Sequence, residues 1–380
     1  MLGALSEDQE FFRATTQRFL NEHASPAELR RRRHDPAGFG DGYWRHGAEL
    51  GWTSLLVDAA HGGGTISGAG LLDLSLVAYE FGRRAAPGPL LSTNVAAWAL
   101  STNGAHADVL TGLLTGERIV TWCAPVLTAG LGAGALRPGV SMHRQGTDYI
   151  LEGRVPHVES AAQASHFLVS ARDETGVTQV LVPSSVAGVT IETMGTVDLS
   201  RRFGAVRFDG VAVGPDAVVG APLEAATDVE RQFHLALSIL NAEAVGTLQS
   251  GFDMTLEWAF DRYSFGRPLA SYQALKHRFA DMLTWLEASH AISSAACQAV
   301  EERSAAADEL VSTAKAYVGQ YGADLLQDCV QLHGGIGITF EHDLHLFLRR
   351  FIVNRSLAGT PAVHRQRIAA IVEQRNEVAA

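Results

Sequence analysis

The chain has 380 residues, of which 47% are apolar and 19% charged, and a formal net charge of −11. That length exceeds one ordinary core and implies two or three domains, and the composition excludes disordered and fibrous classes. The acidic balance argues against a nucleic-acid partner, and no apolar run approaches the ~20 residues of a membrane span. In chain order, Met1 is not followed by a basic-then-apolar signal sequence, so a cytoplasmic protein is expected. Ser6 and Gln9 have the spacing of a capping box and open a helix. The basic run Arg30 to Arg33 reads as a solvated helix end. Gly62-Gly63-Gly64 marks a loop, and Leu72, Leu76, Tyr79 and Phe81 carry a helix that stops before Pro87 and Pro89.

Near Arg118 the texture changes. From Ile119 to about Gly220 the helical period gives way to short β-rich runs, at 119–122, 166–169, 180–182 and 205–209, punctuated by glycine and proline. Helical spacing returns with Val245, Leu248, Phe252, Leu256 and Phe260, then with Leu275, Phe279, Met282 and Leu286, then from Leu310 to Cys329. Helices, strands and helices again imply separate layers, an α+β class and not an alternating sheet. The expected domains are 1–117 (helical), 118–221 (β) and 222–380 (a helical bundle). Cys123, Cys297 and Cys329 are scattered and odd in number, which yields neither a disulfide framework nor a zinc pattern.

Two stretches interrupt the last helices. One is Arg262-Tyr-Ser-Phe265-Gly266-Arg-Pro268, running on to Gln273; the other is Gln331-Leu-His333-Gly334-Gly335. An arginine at such a break can reach a phosphate with its planar fork of donors, or can simply sit on the surface of a helix-helix turn. Taken together, the two stretches resemble the paired motifs of the acyl-CoA dehydrogenase family, and the resemblance extends over nearly the whole chain. Gly62 to Gly64 and Glu80 to Arg83 resemble that family's N-terminal motifs. The fold it implies has an N-terminal helical domain, a middle β-barrel or sandwich and a C-terminal four-helix bundle.

The resemblance implies FAD as cofactor. Residues matching Arg262, Phe265, Gln273, Gln331, Gly334, Gly335 and Thr360 would hold it, chiefly its pyrophosphate and adenosine end, and on a neighbouring subunit's flavin. Glycines that let backbone N–H groups approach an anion suit that task. An oligomer, dimer or tetramer, follows, with an acyl-CoA substrate and an electron-transfer flavoprotein as acceptor. The family reaction needs a carboxylate to remove the α-proton and donors to the thioester oxygen.

The chain departs from the family at that carboxylate. The usual Glu-Gly-Thr position reads Ala358-Gly359-Thr360, and the alternative position on the earlier helix is Ala236. Glu243 lies seven residues on, on nearly the same helix face with a drift of about 20°, but displaced by about 10 Å. It is the candidate base; the other reading is a glutamate that pairs with a cation. The flavin-side strand of the family, with its tryptophan and threonine, is replaced by Val155-Pro156-His157-Val158-Glu159-Ser160. A carboxylate at Glu159 beside an anionic reduced flavin would be unfavourable.

Three functions stay open. The chain is a subunit that completes a paralogous catalytic partner's FAD site, as in mixed assemblies acting on steroid side-chain thioesters. Alternatively it is a self-sufficient dehydrogenase with Glu243 as base, or a non-enzymatic scaffold.

Overall fold

The computed structural model describes residues 5–40, 42–128 and 130–379. The N-terminal layer holds six helices: α1 (Glu7–His23), α2 (Pro26–Arg31), α3 (Tyr43–Glu49), α4 (Gly70–Arg84), α5 (Leu90–Thr102) and α6 (Ala107–Leu114). The Ser6–Gln9 capping box forms in both directions. α4 and α5 are buried nearly all round, as helices enclosed by neighbours on every side must be.

The middle layer is β1 (Val120–Cys123), β2 (Val126–Leu127), β3 (Leu136–Arg137), β4 (Val140–Gln145), β5 (Asp148–Glu159), β6 (His166–Arg172), β7 (Val177–Pro183), β8 (Val189–Met194), β9 (Phe203–Val213) and β10 (Val218–Val219). Eight of these form one sheet, seven of them in the order β10-β7-β6-β4-β5-β9-β8 and β1 beside β6. β1 pairs in parallel with the start of β6, and β4 pairs in parallel with its end, so the two share one edge. The register of β5 on β9 shifts between Val155 and Val158. That irregularity re-aims the last residues of β5, as bulges do.

The C-terminal layer holds α7 (Ala226–Asp261), the short hairpin β11 (Tyr263–Ser264) and β12 (Arg267–Pro268), α8 (Gln273–Glu301), α9 (Ala307–His333), α10 (Leu344–Ser356) and α11 (Pro361–Ala379). The helical stripes read from the sequence are largely core: Val245, Leu248, Phe252, Met282, Leu286, Leu325 and Cys329 share one cluster, whereas Phe260 at the end of the first stripe is exposed. The α+β layering is the one expected.

α4 crosses α7 at glycine contacts. A Cβ on Gly82 would stand 1.9 Å from Glu243 O, and one on Gly246 would stand 2.0 Å from Tyr79 O. This closeness brings the C-terminus of α4 to the middle of α7. There Ala85 adopts a left-handed conformation (φ 46°) and ends the helix. The carbonyls of Ala85 and Ala86 both accept from Arg350 of α10, at 2.9–3.0 Å. A cation at a helix C-terminus is favourable with respect to its dipole.

Arg350 is fully buried and also binds Asp198 and Glu243. Burial by itself lowers the basicity of its guanidinium, but the Asp198 and Glu243 carboxylates outweigh that and raise it. Removing one partner of a buried pair leaves an uncompensated charge, a loss of about 3–5 kcal/mol. Arg350→Met should therefore lower the unfolding free energy from urea titration by that order, and Arg350→Lys should recover little of it because the fork of donors is lost. Arg83→Met, in a partly exposed pair with Asp253, should cost far less. Equal losses in the two methionine variants would show that the Arg350 cluster has no special structural weight.

Candidate functional site

Where the β layer meets the C-terminal helices there is a small, partly open chamber of about 60 Å³. Ala236 of α7 and Ala358 after α10 both line it, so the two positions expected for a base converge on one space. Ala358 and Gly359 hold positive φ angles (54° and 98°), the turn that closes α10. For alanine this conformation is unfavourable. The backbone that would present a carboxylate is thus formed, and the carboxylate is absent.

Trp122, His157, Glu159, Arg201 and Phe203 complete much of the wall. Glu159 is the acidic residue among those lining the chamber. Its Oε2 accepts from Ser92 Oγ (2.9 Å) and Ser92 N (3.3 Å). Arg201 Nε lies 3.0 Å from its Oε1, but off the hydrogen-bond direction, so the contact is an ion pair without an aligned donor. His157 is exposed, has φ 59°, and also lines an open cleft of about 300 Å³ with Met194, Val197, Phe203, Ile352 and Leu357.

Glu243 does not line the chamber. It is 1% exposed and both its oxygens are taken: Oε2 by Arg201 Nη2 at 2.9 Å and Oε1 by Arg350 Nη1 at 2.7 Å. The cation-paired alternative is the arrangement seen, with each carboxylate oxygen engaged by a guanidinium. The cluster continues through Asn354 Oδ1, 2.5 Å from Arg201 Nη1, and Asp198, whose Oδ1 accepts from the Ser200 backbone at 2.9 Å. Burial raises the Asp198 carboxyl, and Arg350 more than offsets it, so the group titrates below its ordinary value.

Apart from Thr360, the other expected site residues lie on a separate, outer face. Phe265 and Gly266 form the tip of the β11–β12 hairpin with φ 50° and 80°, the two positive values a tight two-residue hairpin requires. The Phe265 side chain is 97% exposed. Arg262 is exposed, its guanidinium 5.8 Å from the Trp258 ring. Trp258 stacks on His333 (5.4 Å, 21°), and His333 packs on His342 at 4.5 Å, so the two motif stretches touch from behind. Gln273, at the start of α8, and Gln331, near the end of α9, are exposed. Gly334 needs its φ of 66°, whereas Gly335 has no such need, and a Cβ on either would meet nothing within 4 Å. Thr360 is exposed and caps α11, its Oγ1 3.5 Å from Val363 N.

The run Arg30 to Arg33 is a solvated end only at Arg31 and Arg33. Arg30 donates to Phe340 O and Glu341 O and pairs with Asp343, while Arg32 pairs with Glu28 and Asp35. Among the described residues, one trio of metal-ligand type converges: Glu230, His234 and Asp308. Arg367 already binds Asp308 there, through two nitrogens at 2.6 and 2.9 Å, and takes the place of a cation.

Profiles of the acyl-CoA dehydrogenase N-terminal domain and C-terminal domain match residues 6–117 and 229–373. The chain belongs to the acyl-CoA dehydrogenase family. Acyl-CoA dehydrogenase IpdE2 of Mycobacterium tuberculosis is 29% identical over 93% of this chain and 94% of its own length. Among solved structures, a variant of the Tcur3481-Tcur3483 steroid ACAD is 26% identical with a TM-score of 0.86, covering 99% of this chain and all of that one. The ChsE4-ChsE5 complex of Mycobacterium tuberculosis has a TM-score of 0.85 at 24% identity, over 98% of each chain, a likeness of fold.

The flavin of this family fits the two halves of the molecule unequally. The outer face offers a free cation, glycines with open space above them and exposed amides, which suit a pyrophosphate. At the ring end, a carboxylate and its arginine partner occupy the wall. The space behind them is far below the ~300–1,000 Å³ of ordinary ligand sites. No step through a flavin follows in this chain's own chamber.

The charged cluster escaped the sequence reading, although one signal was present. Arg350 stands at helical spacing from Leu346, Phe347 and Phe351, on the buried stripe of α10. Lys315 of α9 belongs to the same region: it is buried and donates to Asn354 O. Burial, then Arg201 and Arg355, push its ammonium down to about 7 against an opposing Glu243. The unfolded chain therefore binds the extra proton between about pH 7 and pH 10, and stability should rise with pH across that window. The expected slope is about 1 kcal/mol per pH unit near pH 8–9. Urea titrations over that range should show it in the native chain and not in Lys315→Met. Identical slopes would remove Lys315 as the source.

Proposed function

We propose that this chain is the non-catalytic subunit of a hetero-oligomeric acyl-CoA dehydrogenase, completing the FAD site of a paralogous catalytic partner. The observation that carries the reading is the split between its two half-sites. The outer face keeps Arg262, Phe265, Gln273, Gln331, Gly334 and Gly335, all exposed. The inner chamber has alanine at both base positions and a Glu159–Arg201 pair in its wall.

The outer face supports a role in trans. Phe265 is a large aromatic in an unfavourable backbone conformation and almost wholly exposed, and Phe260, Tyr263 and Ile338, in or beside the two motif stretches, are each more than half exposed. Exposed large apolar side chains of this kind suit a contact with another subunit. In that contact Arg262 would pair with the pyrophosphate, Gly334 and Gly335 would bring backbone N–H groups to it, and Phe265, Gln273 and Gln331 would border the adenosine. The flavin, when bound, accepts a hydride from the acyl group beside the partner's residues, which supply the base. Thr360 serves here as the cap of α11.

Two neighbours support a mixed assembly: one is named as a two-component steroid ACAD, the other as a complex of two differently named chains. A bulky acyl-CoA thioester as substrate and an electron-transfer flavoprotein as acceptor complete the proposal. Glu243 acts as the hub of the charged cluster in this reading.

The test is spectroscopic. Purified alone, the chain should be colourless, or yellow and not bleached by saturated acyl-CoAs under anaerobic conditions. Purified with a paralogue that retains the family glutamate, it should yield one FAD per two chains and bleach with substrate. Arg262→Ala in that complex should weaken FAD retention about ten- to a hundredfold, the scale of a lost charge-assisted contact. A lone chain that bleaches would overturn the proposal in favour of a self-sufficient enzyme. Glu159→Gln and Glu243→Gln would then identify its base.

A further inference from the structure

The segment 334–343 carries the second half of the adenosine-side face, and its anchorage comes from an unexpected quarter. It opens as a short 3-10 turn (Gly334–Ile338) and then runs without regular structure to α10. His345 holds it from its own domain, with its ring 4.7 Å from the Phe340 ring and Nε2 3.1 Å from Phe340 O. The second hold is Arg30 of α2, in the N-terminal layer. Arg30 Nε donates to Phe340 O at 3.2 Å, and Nη2 donates to Glu341 O at 3.1 Å and lies 2.6 Å from Asp343 Oδ1. The guanidinium groups of Arg30 and Arg33 each stand 5.8 Å from the Phe340 ring.

α2 is too short to be rigid by itself, since helices of this length are marginal in water. It is fixed from two sides. Leu29 is buried beneath it. At its C-terminal end Arg202, at the start of β9, donates to Arg32 O (2.9 Å), Arg33 O (3.2 Å) and Asp35 O (2.9 Å). Arg202 thus supplies the donors that the orphan carbonyls of a helix end require. The result is a strap running from the β layer, through α2, to the loop beside the cofactor face.

Resting on the trans-FAD reading above, we propose that Arg30 is a positioning residue for the partner's cofactor: it fixes segment 339–343, and through it the Gly334–Gly335 turn. A fork of donors on two successive carbonyls and a carboxylate sets both the position and the tilt of the loop, which a single point charge would not do. Outer-shell supports of this kind alter affinity by about ten- to a hundredfold at sites where they have been removed.

The experiment combines hydrogen exchange on the full chain with FAD release from the holo-complex, comparing Arg30→Ala, Arg30→Lys, Arg31→Ala and Arg262→Ala with the native chain. Arg31 lies on the same helix, is largely exposed and pairs only locally with Glu28, so its variant controls for loss of surface charge. Arg30→Ala should speed exchange across 339–343 and speed FAD release about tenfold, with α1 and the sheet unchanged. Arg30→Lys should follow the alanine variant more closely than the native chain, and Arg31→Ala should match the native chain. Unchanged exchange at 339–343 overturns the proposal, and so does faster exchange with unchanged FAD release while Arg262→Ala still accelerates it. If Arg262→Ala leaves FAD release untouched, the trans-site reading has failed, and with it the cofactor role of Arg30. The exchange data then decide separately whether Arg30 holds the loop.

Discussion

One buried cluster of charges joins the three layers of this molecule. Glu159 comes from the end of β5, Asp198 and Arg201 from the segment between β8 and β9, Glu243 from the middle of α7 and Arg350 from α10. The carbonyls that end α4 bring in the N-terminal layer. Three carboxylates thus face two guanidinium groups in a space closed to water. Burying ions is expensive, and their mutual attraction repays the desolvation only when geometry and hydrogen bonds are nearly complete. Here Arg350 uses both arms as well as Nε, on two carboxylates, a hydroxyl and two carbonyls. Such an arrangement tolerates one relative placement of the layers, because a displacement of an ångström or two would leave several charges unpaired together.

That constraint explains the state of the chamber. Arg201 is held by Glu243 and Asn354 on one side and stands against Glu159 on the other. Glu159 cannot leave without exposing the Arg201 charge, and Arg201 cannot follow it without abandoning Glu243. The ring-end wall is therefore tied to the domain junction. Ala358 keeps its strained turn and Ala236 its helical position, so the frame of the chamber is formed with alanine at both places. The charged residues in its wall also tie the layers together.

The fold was legible because its signals are periodic and local. The α7, α8 and α9 stripes, the Ser6 capping box and the β runs after Arg118 each depend on spacing within one element. The outer-face motifs were legible for the same reason: Arg262 to Gln273 and Gln331 to Gly335 are contiguous, and the structure leaves them at the surface. The charged cluster was not, since its five members are drawn from four segments far apart in sequence, and each taken singly resembles an ordinary surface charge. The same holds for Arg30, whose partners at 340–343 lie more than three hundred positions away. Glu243 shows the difficulty most plainly. Helical spacing sets Glu243 near the face of Ala236, yet Glu243 lies off the chamber, and its engagement as an ion-pair partner depends on Arg201 and Arg350, which no spacing rule associates with it.

The two halves of the molecule impose different demands, and these are met by opposite means. The outer face leaves Arg262 and Phe265 exposed and open space above Gly334 and Gly335. At the inner junction, buried charges fix the layers against one another. Closure there serves the outer face, because Arg202, next in sequence to Arg201, holds the end of α2 from which Arg30 reaches the cofactor-side loop. A guanidinium pair adjacent in sequence thus looks both ways: Arg201 inward to the cluster and Arg202 outward to the strap. Fixing the first fixes the backbone from which the second acts, so the inner junction and the strap to segment 339–343 are mechanically coupled.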